Sequence, residues 1–148
     1  MRSVFDKTTR DELINRINSL NENCTAQWGK MNVSQMTRHC TIWEESILGK
    51  RTFKRVFIGR LFGKLALRTV LRNEAPLAKN TPTLPQLKIK DTNIDMASEK
   101  RKWVELIEQY EHFSNYGFVH SFFGKMTKEQ IGYLSYKHTD HHLRQFNC

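Results

Sequence analysis

Three of the six histidines, His138, His141 and His142, fall within five positions near the end of the 148-residue sequence, in KHTDHHLRQF. In a helix, residues four apart lie about 40° apart around the axis, so His138 and His142 can reach one ion. This is the ligand spacing of the HExxH metalloproteases, without their catalytic glutamate. His141 is rotated about 100° from His142 and about 60° from His138. It either replaces one ligand or supports the site from its rim. A further ligand has to come from elsewhere, and His39 is the best placed. It lies mid-helix, flanked at the helical repeat by Met36 and Trp43, which read as core-facing. His112 and His120 lie near Gly117, under less constraint. Three neutral imidazoles leave coordination positions open to water or substrate, the pattern of a catalytic rather than a structural site. The plain alternative is a histidine cluster that complements a helix C-terminus when protonated, with His39 an ordinary half-buried histidine. The spacing alone leaves both open.

Four helices must position these residues. TRDE places Thr9 three residues before Glu12, a predicted capping box, and Leu13, Ile14, Ile17 and Leu20 follow at helical spacing. The second helix opens at NVSQ, with Asn32 as N-cap and Gln35 three residues on. It runs through Val33, Met36, Cys40, Trp43 and Ile47 to Gly49. A third, over roughly 95–113, carries Trp103, Leu106, Ile107 and Tyr110 on one face. The last repeats the cap at TKEQ, with Thr127 and Gln130, and carries Ile131, Leu134, His138 and His142. WGKMNVSQMTRH at 28–39 echoes FGKMTKEQIGYLSYKH at 123–138. Counted from the caps, His39 and His138 differ by one helical turn, so they face the same way relative to their helix starts. No period-2 run of β-branched residues appears, and the chain reads as all-α. Residues 74–94, with Pro76, Pro82 and Pro85, read as a long loop.

The length suits a single domain spanning 1–148. Cys24, Cys40 and Cys148 form no CxxC pair and no disulfide framework, which points to free thiols in a reducing compartment. Cys40 reads as core packing, and Cys148 as exposed. No signal-peptide core and no apolar run near the ~20 residues of a membrane span is present, so a cytoplasmic protein is expected. The formal net charge is +9, and it is local. Residues 50–72 hold eight basic residues and no acidic one, while the remainder is close to neutral. In this segment Arg60, Lys64, Arg68 and Arg72 recur every four residues beside an apolar face of Phe57, Ile58, Leu61, Phe62 and Leu65. Such a helix can lie on an anionic membrane, touch nucleic-acid phosphates, bind an anionic substrate as a lid, or simply present a solvated face. Gly59 and Gly63 weaken it and would permit a bend.

WGKMNVSQMTRHC, together with FFGKMTKEQIGYLSYKHTDHHLRQF, resembles the DinB-like superfamily, also called YfiT-like metal-dependent hydrolases. The closer likeness is to the branch whose last helix ends in HxxHHxxQF. The resemblance covers most of the chain and implies a four-helix bundle. The basic amphipathic helix and the proline-containing loop would be additions in its middle. It implies a divalent-metal triad of one histidine on the second helix and an i, i+4 pair on the last, which carries onto His39, His138 and His142. Relatives include thiol transferases and a thiol-dependent isomerase.

Imidazole ligands suit zinc or nickel among several ions. Such an ion can activate water or hold a low-molecular-weight thiol as the nucleophile against a small-molecule substrate. Thiol transfer and hydrolysis are the two expected activities. No catalytic general base is singled out. Asp140 should point away from the pair, Glu44 and Glu45 have the wrong spacing from His39, and Gln145 is placed to support His142. The competing reading is a non-enzymatic binding protein acting through residues 50–72 on a membrane surface or nucleic acid. No helix-turn-helix pattern supports reading of DNA sequence. Exposed apolar helices also suit a homodimer.

Overall fold

Apolar residues recurring at three- and four-residue spacing set five α-helices. They are α1 (Lys7–Ser19), α2 (Val33–Ile47), α3 (Phe57–Val70), α4 (Met96–Glu108) and α5 (Lys128–Gln145). The computed structural model describes residues 1–147, so Cys148, expected to be exposed, lies outside the described residues. The chain is mostly helical. Among the described residues the only sheet is an antiparallel hairpin of β1 (Val119–His120) and β2 (Gly124–Lys125), pairing His120 with Gly124. Two residues per strand are too few to write an alternating pattern, which is why no strand was legible.

The second and last helices start as the sequence predicts. Asn32 accepts from the Gln35 backbone at 2.8 Å while the Gln35 side chain accepts from the Asn32 backbone at 3.1 Å. Thr127 and Gln130 repeat this exchange. Each box satisfies two backbone donors that a helix start leaves free, stabilising it by about 1 kcal/mol. The predicted box at Thr9 does not form. The first helix begins earlier, after Asp6, so Thr9 lies inside it and is buried. Glu12 instead takes both guanidinium nitrogens of Arg2.

α1, α2, α4 and α5 pack against one another around Leu13, Ile17, Met36, Trp103, Ile131 and Leu143, all essentially inaccessible. α4 is capped by Asp95, which accepts from the Ser98 backbone. A short 3-10 turn, Gln109–His112, extends it and buries Tyr110. Twelve of the fifteen α2 residues are buried, so its polar side chains must find partners inside the protein. Thr37 and Thr41 turn back to carbonyls one turn earlier, of Val33 and Thr37. His39, Glu44 and Glu45 need partners from other elements.

α3 is arranged differently. It packs through Gly59 and Gly63, whose backbones lie against Phe122 and Phe123 so closely that no Cβ would fit. The two glycines therefore serve close approach, and the helix runs unbroken from Phe57 to Val70. The loop after it holds one 3-10 turn, Pro85–Leu87, and there Leu87 enters the core.

Candidate metal centre

α2 and α5 bring His39, His138 and His142 together. All three are buried, and one ring nitrogen from each lies within 4.8 Å of the others. The Nε2 atoms of His39 and His138 are 3.2 Å apart. Two bonds of ~2.1 Å at a tetrahedral angle require about 3.4 Å, so this pair already stands near ligand separation.

The protein fixes which nitrogens face inward. The Nδ1 of His39 lies 2.9 Å from the Leu87 carbonyl, which can only accept. That nitrogen therefore carries the proton, and Nε2 keeps its lone pair. The Nδ1 of His142 lies 2.8 Å from Oε1 of Gln145. Gln145 Nε2 donates to the Trp28 carbonyl at 2.7 Å, which sets the amide so that its oxygen faces the imidazole. His142 thus also turns an Nε2 lone pair inward. A ligand histidine whose other nitrogen is held by a carbonyl or amide is the usual support of a metal site.

His138 is held another way. Its ring stacks on Trp43, with centroids 4.0 Å apart and planes 15° apart. Its Nδ1 is buried without a hydrogen-bond partner. A proton on its Nε2 could serve His39, but one proton cannot serve two inward lone pairs. A cation can be shared by all three, and in that sense the donor set fits a metal ion.

Burial depresses the proton affinity of the trio. His39 titrates below the usual histidine range because of desolvation, partly opposed by its bond to Leu87. Desolvation, then the neighbouring imidazoles, hold His138 well below that range. His142 is likewise well below it, from desolvation first and His39 next. Three neutral imidazoles are the form that binds metal.

The other expected residues divide. Gln145 supports His142, as its spacing suggested. His141 sits on the rim, half-buried beside Trp28 and in contact with the His142 ring. Desolvation lowers its proton affinity, partly opposed by the Leu77 backbone. Asp140 points away, pairing with Arg16 and Arg144 at 2.7 Å each. Cys40 is a buried core residue whose thiol contacts Met36. Arg60, Lys64 and Arg68 on α3 and Arg72 just after it are all exposed, and no hydrogen bond or ion pair joins them to the trio.

Two residues were undervalued. His120, expected to be loosely held, is buried. Its Nδ1 accepts the backbone N–H groups of Phe122 and Phe123 at 3.1 and 3.0 Å, and its ring lies against Trp43. Desolvation pushes its pKa down to about 4, so it is neutral. The hairpin creates this arrangement, and no local spacing signals it. Leu87 contributes only a backbone carbonyl, which has no signature in a side-chain pattern. A cavity of about 390 Å³ adjoins this layer, lined by Trp43, Leu87 and His120 with Arg51, Phe53 and Phe118.

A family described as "Protein of unknown function (DUF1569)" matches residues 2–148, and the chain belongs to it. No curated protein and no solved structure matches.

Proposed function

We propose that this DUF1569 member is a metal-dependent enzyme that holds one divalent ion, zinc or nickel, on His39, His138 and His142. The observation that carries the reading is the convergence of three neutral, buried imidazoles, two with tautomers set by Leu87 and Gln145. The DinB-like likeness of the sequence supports it. So does the shared core of α1, α2, α4 and α5, which we read as the four-helix bundle of a single domain. When bound, a divalent ion would supply the acidity that keeps water or a small thiol in its nucleophilic form.

The chain's own residues do the rest. Leu87 and Gln145 orient two imidazoles, and Trp43 fixes the plane of the third. The surrounding core excludes bulk water. The cavity beside Trp43 and His120 suits a small-molecule substrate, with Arg51 at its wall, held through Nε by Glu45 and left to offer its terminal nitrogens to an anionic group. Thiol transfer is the reading we favour, from the thiol transferases among the DinB-like proteins; hydrolysis is the other. The test is cobalt-loaded protein titrated with a small thiol such as cysteine. A new thiolate-to-cobalt absorption band, lost in His142→Ala, is expected. A spectrum unmoved by thiol would remove thiol transfer and leave hydrolysis.

A further inference from the structure

Five large apolar side chains on α3 face solvent. Phe57, Ile58, Leu61, Phe62 and Leu65 are 53–76% exposed. The buried residues of this helix are Gly59, Gly63 and Leu67. At about 100° per residue the five apolar positions centre on the side opposite the glycines. The glycine face is therefore docked on Phe122 and Phe123 and the apolar face is turned outward.

The charge around this face is of one sign. Arg60, Lys64 and Arg68 form a row that shifts by about 40° at each step, from the flank of this face at Arg60 to its edge beside Phe57 and Leu61 at Arg68, with Arg72 just beyond the helix end, and all four are exposed. Lys64 reaches the Lys125 carbonyl. The side chains of Arg60, Arg68 and Arg72 have no hydrogen-bond or ion-pair partner among the described residues. Residues 50–73 contain no acid, and the next one, Glu74, pairs with the N-terminal amine.

We propose that α3 is a membrane-surface helix that seats these five side chains among the acyl chains of an anionic bilayer, with the four cations at the lipid phosphates. An apolar face bordered by lysine and arginine is the pattern that lies in the plane of a bilayer, and long cationic side chains reach from that depth to the headgroups. Among the described residues no helix is long and apolar enough to cross a membrane, so the contact is with the surface. Charge complementarity separates this occupant from the alternatives. A second copy packed on the same face by an antiparallel two-fold would set its cationic row beside this one, with no acid between. A nucleic acid would use the cations and leave the five apolar side chains in water. This inference does not depend on a metal at the histidine trio.

The test uses the full chain carrying Phe62→Trp as a reporter. It is mixed with vesicles of phosphatidylcholine alone, or with roughly a third phosphatidylglycerol, enough to give an anionic surface. The expected result is a blue-shifted emission and co-sedimentation with the anionic vesicles only, weakening as salt is raised. Arg60→Gln and Arg68→Gln should each lower the partition about fivefold, and Leu61→Ser on the order of tenfold. These positions are exposed, so circular dichroism should show the variants folded. Binding to neither vesicle, or equal binding to both without arginine dependence, would overturn the proposal. A concentration-dependent dimer that blue-shifts the reporter without lipid and is broken by Leu61→Ser would assign the face to a second copy. Duplex DNA binding lost in the arginine variants but kept in Leu61→Ser would assign it to nucleic acid.

Discussion

α2 and α5 bury two polar clusters against each other, built on opposite principles. Around Glu44 the donors and acceptors close on themselves. The Tyr110 hydroxyl donates to one carboxylate oxygen and the Thr139 hydroxyl to the other at 3.1 Å, with Ser135 Oγ 3.0 Å from the tyrosine oxygen. Five positions earlier on α2, His39 meets His138 and His142, and the inward lone pairs of His39 and His142 outnumber the one proton that His138 can offer them. Both clusters are buried and both join the same helices. Burial and polarity therefore do not distinguish a structural node from a binding site. The balance of donors to acceptors does, because an unmatched buried lone pair calls for a partner from outside.

Perturbing each cluster separately sharpens the contrast. The largest effect should come from the ion itself. Zinc at about a thousand times its dissociation constant stabilises a protein by about 4 kcal/mol, which for this size is a rise in Tm on the order of 10 °C. Calorimetry should show that rise in wild type and in Glu44→Gln, and none in His142→Ala. Next, Glu44→Ala orphans the Tyr110 and Thr139 hydroxyls and leaves a cavity. It should cost about 3 kcal/mol in urea unfolding while zinc uptake stays unchanged.

A pH effect of similar kind follows from Glu44. Desolvation raises its pKa to about 7, against the opposing bonds from Tyr110 and Thr139. The native state then holds a proton that the unfolded state has released, so this residue's contribution to stability falls as pH rises from about 4.5 to about 8. The stability of Glu44→Gln relative to wild type should grow across that window by up to about 3 kcal/mol; a flat difference would contradict the assignment. The smallest effect should be Gln145→Ala, which frees His142 to rotate. Zinc binding measured by competition with a chromophoric chelator should weaken about 10- to 100-fold with stoichiometry kept.

The trio was legible because its signal is local: an i, i+4 pair on one helix, and a matching capping box that aligned His39 with His138. Gln145 followed from its place three residues after His142. What escaped was everything set by tertiary structure. The Leu87 carbonyl arrives from a loop 48 positions along the chain. His120 is fixed by a hairpin too short to write a pattern. Glu44 was passed over as a general base for its spacing from His39, and its actual partners come from the turn after α4 and from α5. At the first helix, a TRDE pattern suggested a cap, but the helix already starts after Asp6 and Glu12 pairs with Arg2. On α3 the periodicity revealed an apolar stripe without saying which way it turned. Two glycines four residues apart on the opposite side were the available clue, since they mark the face that can approach another backbone.

Every role assigned to Leu87, Gln145 and Trp43 depends on an ion held by the three histidines. Elemental analysis of protein purified without an affinity tag, wild type beside His138→Ala, tests it most directly. The account predicts close to one divalent ion per wild-type chain and almost none in the variant. Wild-type protein that is metal-free and takes up neither added zinc nor nickel, or a variant that keeps its metal, would contradict it.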